Sequence, residues 1–163
     1  MPIPLGLTVD QFAARFRGLL EKHSPALIRE LRDVLAKPIG EGVTGAHIEI
    51  FLDDEGQSGP SFGMYFDGAN KKVGHADQSI FPGRHLPIGE YILRLATFDP
   101  RYYSDYDFGA VNIQGDVCKA WFAEWWWKAG GWSYPLKVDI DVHDGYGDGN
   151  GILLAPGSSQ EAQ

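Results

Sequence analysis

The chain has 163 residues, with 14 Lys+Arg and 22 Asp+Glu, which gives a formal net charge of -8 at pH 7. Because 44% of the residues are hydrophobic and 13% are aromatic, the chain can fill a core, and global disorder is excluded. The acidic balance also argues against direct binding to nucleic acid or to an anionic membrane surface, since both need clustered basic residues.

The charge is unevenly distributed along the chain. Residues 1–97 hold 12 acidic and 10 basic residues, whereas residues 98–163 hold 10 acidic and 4 basic ones. An acidic second part suits a cationic partner, a metal ion or simple solubility.

Cysteine usage and the N-terminal sequence bear on the compartment. Cys118 is the one cysteine, so no intrachain disulfide can form, which favours a reducing compartment. The N-terminus lacks the basic and apolar regions of a signal peptide, and no apolar run is long enough to span a membrane. We therefore expect a cytoplasmic protein that does not contact a membrane.

The first part of the chain predicts helices. Thr8 is a candidate N-cap with Gln11 three residues later, and apolar residues then recur at helical spacing. Ser24, as a second N-cap before Pro25, restarts the pattern. Residues 8–37 are therefore expected to form two helices or one kinked helix.

From residue 42 onward the hydrophobic period changes to two, which is typical of strands. The segments predicted as strands are 46–52, 61–67, 91–98 (with helix as the alternative), 136–143 and a short closing strand at 152–155. Residues 68–85 are rich in Gly, Asn, Asp and Lys and predict a long loop.

A helix rich in tryptophan precedes the last strands. Asp116 is its candidate N-cap, and Gly130 and Gly131 mark its end. Trp125, Trp126 and Trp127 are consecutive, and each residue of a helix turns by about 100°. All three cannot face one core, so at least one of them should be exposed or meet a loop.

These elements predict an α+β domain with an N-terminal helical pair, a mostly antiparallel sheet and one Trp-rich helix before the last strands. A single domain is expected over residues 1–156, with a flexible tail at 157–163.

No strong catalytic motif is present. The chain lacks the serine nucleophile elbow, the HExxH zinc motif, the Walker A loop and the dinucleotide-binding glycine pattern. No thiol signature surrounds Cys118. These absences favour a protein that is not an enzyme and needs no cofactor or metal.

Two acidic constellations remain as candidate sites. Asp139, Asp141 and His143 share one face of a strand and are followed by Asp144, which predicts an ordinary acidic strand, a protein-binding face or a metal site. The second constellation is a segment rich in tyrosine that contains Asp99, Asp105 and Asp107; it can be a plain surface loop, a binding face or a source of glycosidic carboxylates.

Residues 111–145 show a distinctive order of aromatic, acidic and glycine residues. The pattern Val-x-Ile-x-Gly-Asp-Val-Cys-x-Ala-Trp-Phe-x-Glu-Trp-Trp, then Lys-Ala-Gly-Gly, then Pro-Leu-x-Val-x-Ile-x-Val-His-Asp resembles bacterial immunity proteins of polymorphic toxin systems. The resemblance implies a small acidic cytosolic α+β protein that neutralises a toxin delivered by a neighbouring cell. It also implies a protein partner, the cognate toxin, often with a cationic site that acts on nucleic acid.

We therefore expect an immunity protein that covers a cationic active site with an acidic face containing aromatic residues. The residues expected to contact the partner are Asp99, Asp105, Asp107, Trp126, Asp139, Asp141, His143 and Asp144. One alternative is a small metal-dependent hydrolase that uses the face of Asp139, Asp141 and His143. A lower alternative is a carbohydrate-binding module that uses the tryptophans.

Overall fold

The fold is that of a computed structural model, which describes residues 2–56, 58–68, 72–73, 84–86 and 98–157. Its helices are α1 (Val9–Glu21), α2 (Ser24–Ala36), α3 (Arg101–Ser104) and α4 (Ala110–Lys128). Its strands are β1 (Gly45–Phe51), β2 (Ser61–Asp67), β3 (Lys72–Val73), β4 (Arg84–His85), β5 (Lys137–Val142) and β6 (Ile152–Pro156). The predicted α+β class is confirmed.

The N-terminal helical pair forms as the sequence predicts, except at the start of α2. The side chains of Thr8 and Gln11 close a capping box on α1. Ser24 does not cap α2, because it is the first residue inside the helix and its hydroxyl donates to the Glu21 carboxylate. The same hydroxyl accepts a hydrogen bond from Trp121 Nε1 at 2.9 Å, so Ser24 joins α2 to α4.

The described strands form one mixed sheet. Its order is β3-β2-β1-β5-β6, and β4 also pairs with β2. β1 pairs with β2 in antiparallel fashion and with β5 in parallel fashion, and the remaining pairs are antiparallel. The predicted mostly antiparallel sheet therefore contains one parallel pair, at its centre.

The core lies on one face of the sheet. Alternate residues of β1 and β5 point into it, and the strand register places Ile48 beside Met64 and Ile140. α4 packs against this face, with the ring of Phe62 centred 5.9 Å from Trp121 and 5.3 Å from Phe122. Burial of these large apolar side chains supplies the main driving force for joining helix and sheet.

α4 begins seven residues earlier than the sequence predicts. Gly109, with a left-handed φ of 72°, precedes the first turn, whereas Asp116 lies inside the helix. The Asp116 carboxylate instead accepts from the backbone N–H of Asp148 at 2.9 Å, which explains a capping residue at an interior position. A Cβ at Gly115 would lie 3.4 Å from the Tyr146 backbone, so a glycine lets the turn at 143–151 approach the helix closely.

The three consecutive tryptophans divide as the helical geometry requires. Trp126 is fully buried, Trp125 is partly buried, and Trp127 is 43% exposed, which confirms that one of the three reaches the surface. The indole N–H groups of Trp126 and Trp127 both donate to the Leu154 carbonyl at 3.1 Å. That carbonyl lies at an irregularity in the pairing of β6 with β5, so the helix binds a backbone acceptor that strand pairing leaves available.

Some expectations fall outside the described residues. These are most of the predicted strand at 91–98, most of the loop at 68–85 and the last six residues of the predicted tail.

Cys118 lies in the core with no exposed surface. None of the helices in the described ranges combines the length and apolarity needed to cross a bilayer.

Candidate partner-binding site

The parallel pairing of β1 with β5 brings two acidic segments to one edge of the sheet. Parallel strands end at the same edge, and ligands of α/β proteins commonly bind beyond such carboxyl ends. Residues 53–55 follow β1, and residues 143–148 follow β5. A third acidic segment, residues 105–107, precedes α4.

A cleft of about 510 Å³ lies where these segments meet. Its walls combine carboxylates, tyrosines and the first turn of α4. The lining residues are Asp54, Glu55, Pro100, Tyr103, Ser104, Asp105, Tyr106, Gly109, Ala110, Val111, Asn112 and Tyr146. This cleft is the candidate site, and we call it the acidic cleft.

Three tyrosines line the acidic cleft in different ways. Tyr106 is 90% exposed, so its ring is free to contact a partner. Tyr103 is partly buried, and its hydroxyl accepts from the Gln114 amide at 2.9 Å. The Tyr146 hydroxyl donates to the Asp54 carboxylate at 3.4 Å.

Burial raises the pKa of Tyr103 to about 12, although the hydrogen bond from Gln114 opposes the increase. The pKa of Tyr146 is also raised, by partial burial first and then by the negative charges of Asp54 and Asp144. Both phenols therefore stay neutral well beyond neutral pH and keep their hydroxyl protons.

The carboxylates of the acidic cleft have no cationic neighbour in the part of the chain that the structure describes. Within the described residues, no lysine or arginine lies at salt-bridge distance from Asp54, Glu55 or Asp105. One oxygen of Asp105 accepts from the Phe108 backbone N–H, which fixes the turn into α4. The cleft thus concentrates negative charge around an accessible volume.

A second group of carboxylates next to the cleft shares one buried cation. The buried Lys119 ammonium contacts Asp148 at 2.6 Å, the Asn150 carbonyl at 2.7 Å and Asp116 at 3.3 Å. Burial alone would lower the pKa of Lys119, but the hydrogen bonds to Asp148 and Asp116 raise it. These contacts tie the glycine-rich turn to α4 and therefore hold Tyr146 in the wall of the cleft. We call Lys119, Asp116 and Asp148 the lysine cluster.

The face of the sheet opposite the core is polar. His47 lies 3.2 Å from the Asp67 carboxylate, and His143 lies 3.2 Å from Glu49. The register places Asp139 beside His47 and Asp141 beside Glu49. His143 also lies 3.5 Å from Asp144, so this polar sheet face continues toward the turn that carries Tyr146.

The residues expected to contact a partner fall into three places. Asp139, Asp141 and His143 lie on the polar sheet face, and Asp144 lies at its edge with a left-handed φ of 64°. Asp105 lines the acidic cleft, while the exposed Asp107 follows it in the same segment.

Two members of that expected set have other contacts. Asp99 forms an ion pair with Arg101 at 2.7 Å, and hydrogen bonds from Arg101 lower the pKa of Asp99 to about 2. Trp126 is fully buried and contacts Leu154, so it offers no surface to a partner. The exposed tryptophans are instead Trp127 and Trp132.

The metal-site alternative finds no geometric support in the described part of the chain, where no three Asp, Glu, His or Cys side chains converge as ligands. The carboxylates of Asp139 and Asp141 are spread along a strand rather than directed at one point.

Sequence reasoning missed several residues of the site. Asp54 and Glu55 lie in a charged turn after a strand, and Tyr146 lies in a glycine-rich turn, and neither turn carries a motif that marks a site. Asp54 meets Tyr146 because β1 and β5 are parallel neighbours, and Asp105 joins them because the segment before α4 packs beside the ends of these strands. Local patterns reveal neither contact. The one available signal was that both segments directly follow clean strands.

No family model, no curated protein and no solved structure matches the chain.

Proposed function

We propose that this protein is an immunity protein that binds and neutralises a cognate interbacterial toxin without catalysing a reaction. It would do so by covering a cationic active site of the toxin with the acidic cleft and the adjoining polar sheet face. The proposal combines the sequence resemblance over residues 111–145 with the surface chemistry of the fold.

The single observation that carries the proposal is the convergence, at one end of the sheet, of carboxylates that no described lysine or arginine pairs with. Asp54 and Glu55 follow β1, while Asp105 precedes α4, so two distant segments contribute to one surface. A folded protein gains no stability from like charges held close together, because they repel. Their position around an open cleft is therefore better explained by a cationic partner than by folding.

Such a surface would speed association and would block access to the active site. Opposite charges steer two proteins together, and complementary potentials suppress wrong partners. Exposed aromatic side chains such as Tyr106 supply rigid contact area, which is typical of interface residues. The toxin active site would be occluded, with no chemical change in either protein.

The test is direct binding to the purified product of the adjacent gene, measured by calorimetry, together with growth of cells that express both proteins. We expect a tight one-to-one complex, restored growth and an association rate that falls steeply as salt rises.

The matched control uses two variants with the same change in charge. Asp105→Asn in the acidic cleft should slow association, whereas Glu41→Gln, in the exposed turn before β1, should not. The proposal is wrong if the neighbouring product has no toxic activity, or if co-expression leaves its toxicity unchanged.

A further inference from the structure

We infer that the acidic cleft is a receptor for a single arginine side chain of the partner, with the guanidinium group seated between tyrosine rings and carboxylates. This inference rests on the proposed function and deepens it, because it assigns the chemistry by which the partner is recognised.

The first argument is charge. Asp54, Glu55 and Asp105 surround a cleft of about 510 Å³, and no described lysine or arginine balances them. In the neighbouring lysine cluster, by contrast, the carboxylates of Asp116 and Asp148 both contact the ammonium group of Lys119. Carboxylates that line an open cleft without a described cation beside them are suited to a cation that a partner supplies.

The second argument is the aromatic lining, which is independent of the carboxylates. Tyr103, Tyr106 and Tyr146 contribute to the walls of the cleft, and the Tyr106 ring is 90% exposed. A cation over the face of an aromatic ring is attracted by the negative charge of that face. Phenols are neutral at physiological pH, and the raised pKa values of Tyr103 and Tyr146 only extend that range, so both rings are uncharged surfaces for a cation.

The third argument distinguishes arginine from lysine. A guanidinium group is planar, stacks on aromatic rings and donates two parallel hydrogen bonds to a carboxylate, whereas an ammonium group is a compact and strongly hydrated point charge. A cleft that joins aromatic walls to carboxylates fits the planar group better. Its volume also lies in the range of about 300–1,000 Å³ that is usual for ligand sites.

The experiment uses the full chain and three short peptides, acetyl-Gly-X-Gly-amide, in which X is arginine, lysine or citrulline. Citrulline keeps the shape of arginine but has no charge. Binding is followed by NMR through the ring signals of the tyrosines. We expect the arginine peptide to shift the signals of Tyr103, Tyr106 and Tyr146 saturably, with about tenfold tighter binding than the citrulline peptide.

Variants separate the cleft from the rest of the surface. Tyr106→Ala and Asp54→Asn should each weaken binding of the arginine peptide several-fold, whereas Glu41→Gln should leave it unchanged. Since Tyr106 and Asp54 are exposed, both variants are expected to fold, which the dispersion of the NMR spectrum checks.

Three results would overturn the inference: equal binding of the arginine and citrulline peptides, equal binding of the lysine and arginine peptides, or shifts confined to residues outside the acidic cleft. Failure of the proposed function looks different. In that case the arginine peptide still binds the cleft, while the product of the adjacent gene forms no complex with the chain.

Discussion

The lysine cluster and the acidic cleft lie on either side of the same glycine-rich turn, yet they treat negative charge in opposite ways. In the lysine cluster, a buried ammonium group contacts two carboxylates and a backbone carbonyl. In the acidic cleft, Asp54, Glu55 and Asp105 face open space without a described cation nearby.

The difference separates carboxylates that build the fold from carboxylates that are available to a partner. Removing the buried cation should therefore cost stability, whereas neutralising a cleft carboxylate should cost binding alone. Four predictions test this division.

The largest expected effect is on stability, from Lys119→Met. The substitution removes three contacts of a buried charged donor and leaves Asp116 and Asp148 to repel each other, so the free energy of unfolding should fall by about 2–3 kcal/mol. Urea denaturation followed by tryptophan fluorescence measures the change. Lys128→Met is the control, since Lys128 is exposed and its ammonium contacts only the surface partners Glu124 and the Trp125 ring among the described residues. Its cost should stay below about 1 kcal/mol. Equal decreases in the free energy of unfolding of the two variants would show that the lysine cluster does not stabilise the fold.

The turn that carries Tyr146 offers a second test. Gly147 has a φ of 91°, and a Cβ there would lie 2.6 Å from the Asp116 carboxylate. Gly149 has a φ of 77°, with nothing near its would-be Cβ. Gly149→Ala should therefore cost only the left-handed backbone strain, about 1 kcal/mol, while Gly147→Ala should cost about 2 kcal/mol because it also displaces Asp116. Thermal melting of the two variants measures the difference between their losses of stability. Equal losses would show that the Asp116 side chain moves aside without cost.

Acid should weaken the lysine cluster selectively. The hydrogen bond from Lys119, followed by that from the Asn150 backbone, lowers the pKa of Asp148 in the folded protein. A lowered carboxylate pKa contributes stability above the unfolded value of about 3.9, and that stability is lost as the pH falls through the folded value. The stability difference between the native protein and Lys119→Met should therefore narrow between about pH 5 and pH 2. Asp99, whose pKa is also lowered, is present in both proteins and cancels. Urea denaturation midpoints of both proteins across this pH range test the prediction. If the stability difference stays constant with pH, Asp148 is not the source of the stability that Lys119 provides.

The smallest expected effect is on the stability of cleft variants. Glu55→Gln and Asp54→Asn remove one of several like charges and no ion pair, so the free energy of unfolding should change by less than about 0.5 kcal/mol, with a slight gain as the favoured sign. Denaturation at low salt checks this. A loss of more than about 1 kcal/mol in either variant would mean that the cleft carboxylates serve the fold after all.

Much of the fold could be predicted because its signals are local. The capping box at Thr8 and the alternation through β1 and β5 depend on neighbouring residues, and the structure reproduces them. The start of α4 could not be found in the same way. Asp116 has the chemistry of a helix cap, but its carboxylate binds the backbone of Asp148, which is distant in sequence. A long-range contact thus outweighed a local preference.

The candidate site was predictable only in part, for a similar reason. Asp105 could be identified from its acidic and tyrosine-rich surroundings. Asp54 meets Tyr146 because β1 lies parallel to β5, and it meets Asp105 because the segment before α4 packs beside the ends of these strands. For Trp126, the local pattern predicts only part of the outcome. Helical geometry indicates that one of three consecutive tryptophans must be exposed, but which one depends on the position of Leu154 relative to α4.

Because Cys118 is fully buried, the rate at which its thiol is labelled measures how often the protein opens. A thiol reagent attacks the thiolate, and burial both raises the pKa of this thiol and screens it from solvent. Its labelling can therefore proceed only as fast as the interior between α4 and the sheet separates. The lone cysteine of the chain thus reports the opening of this part of the core under native conditions, without denaturant.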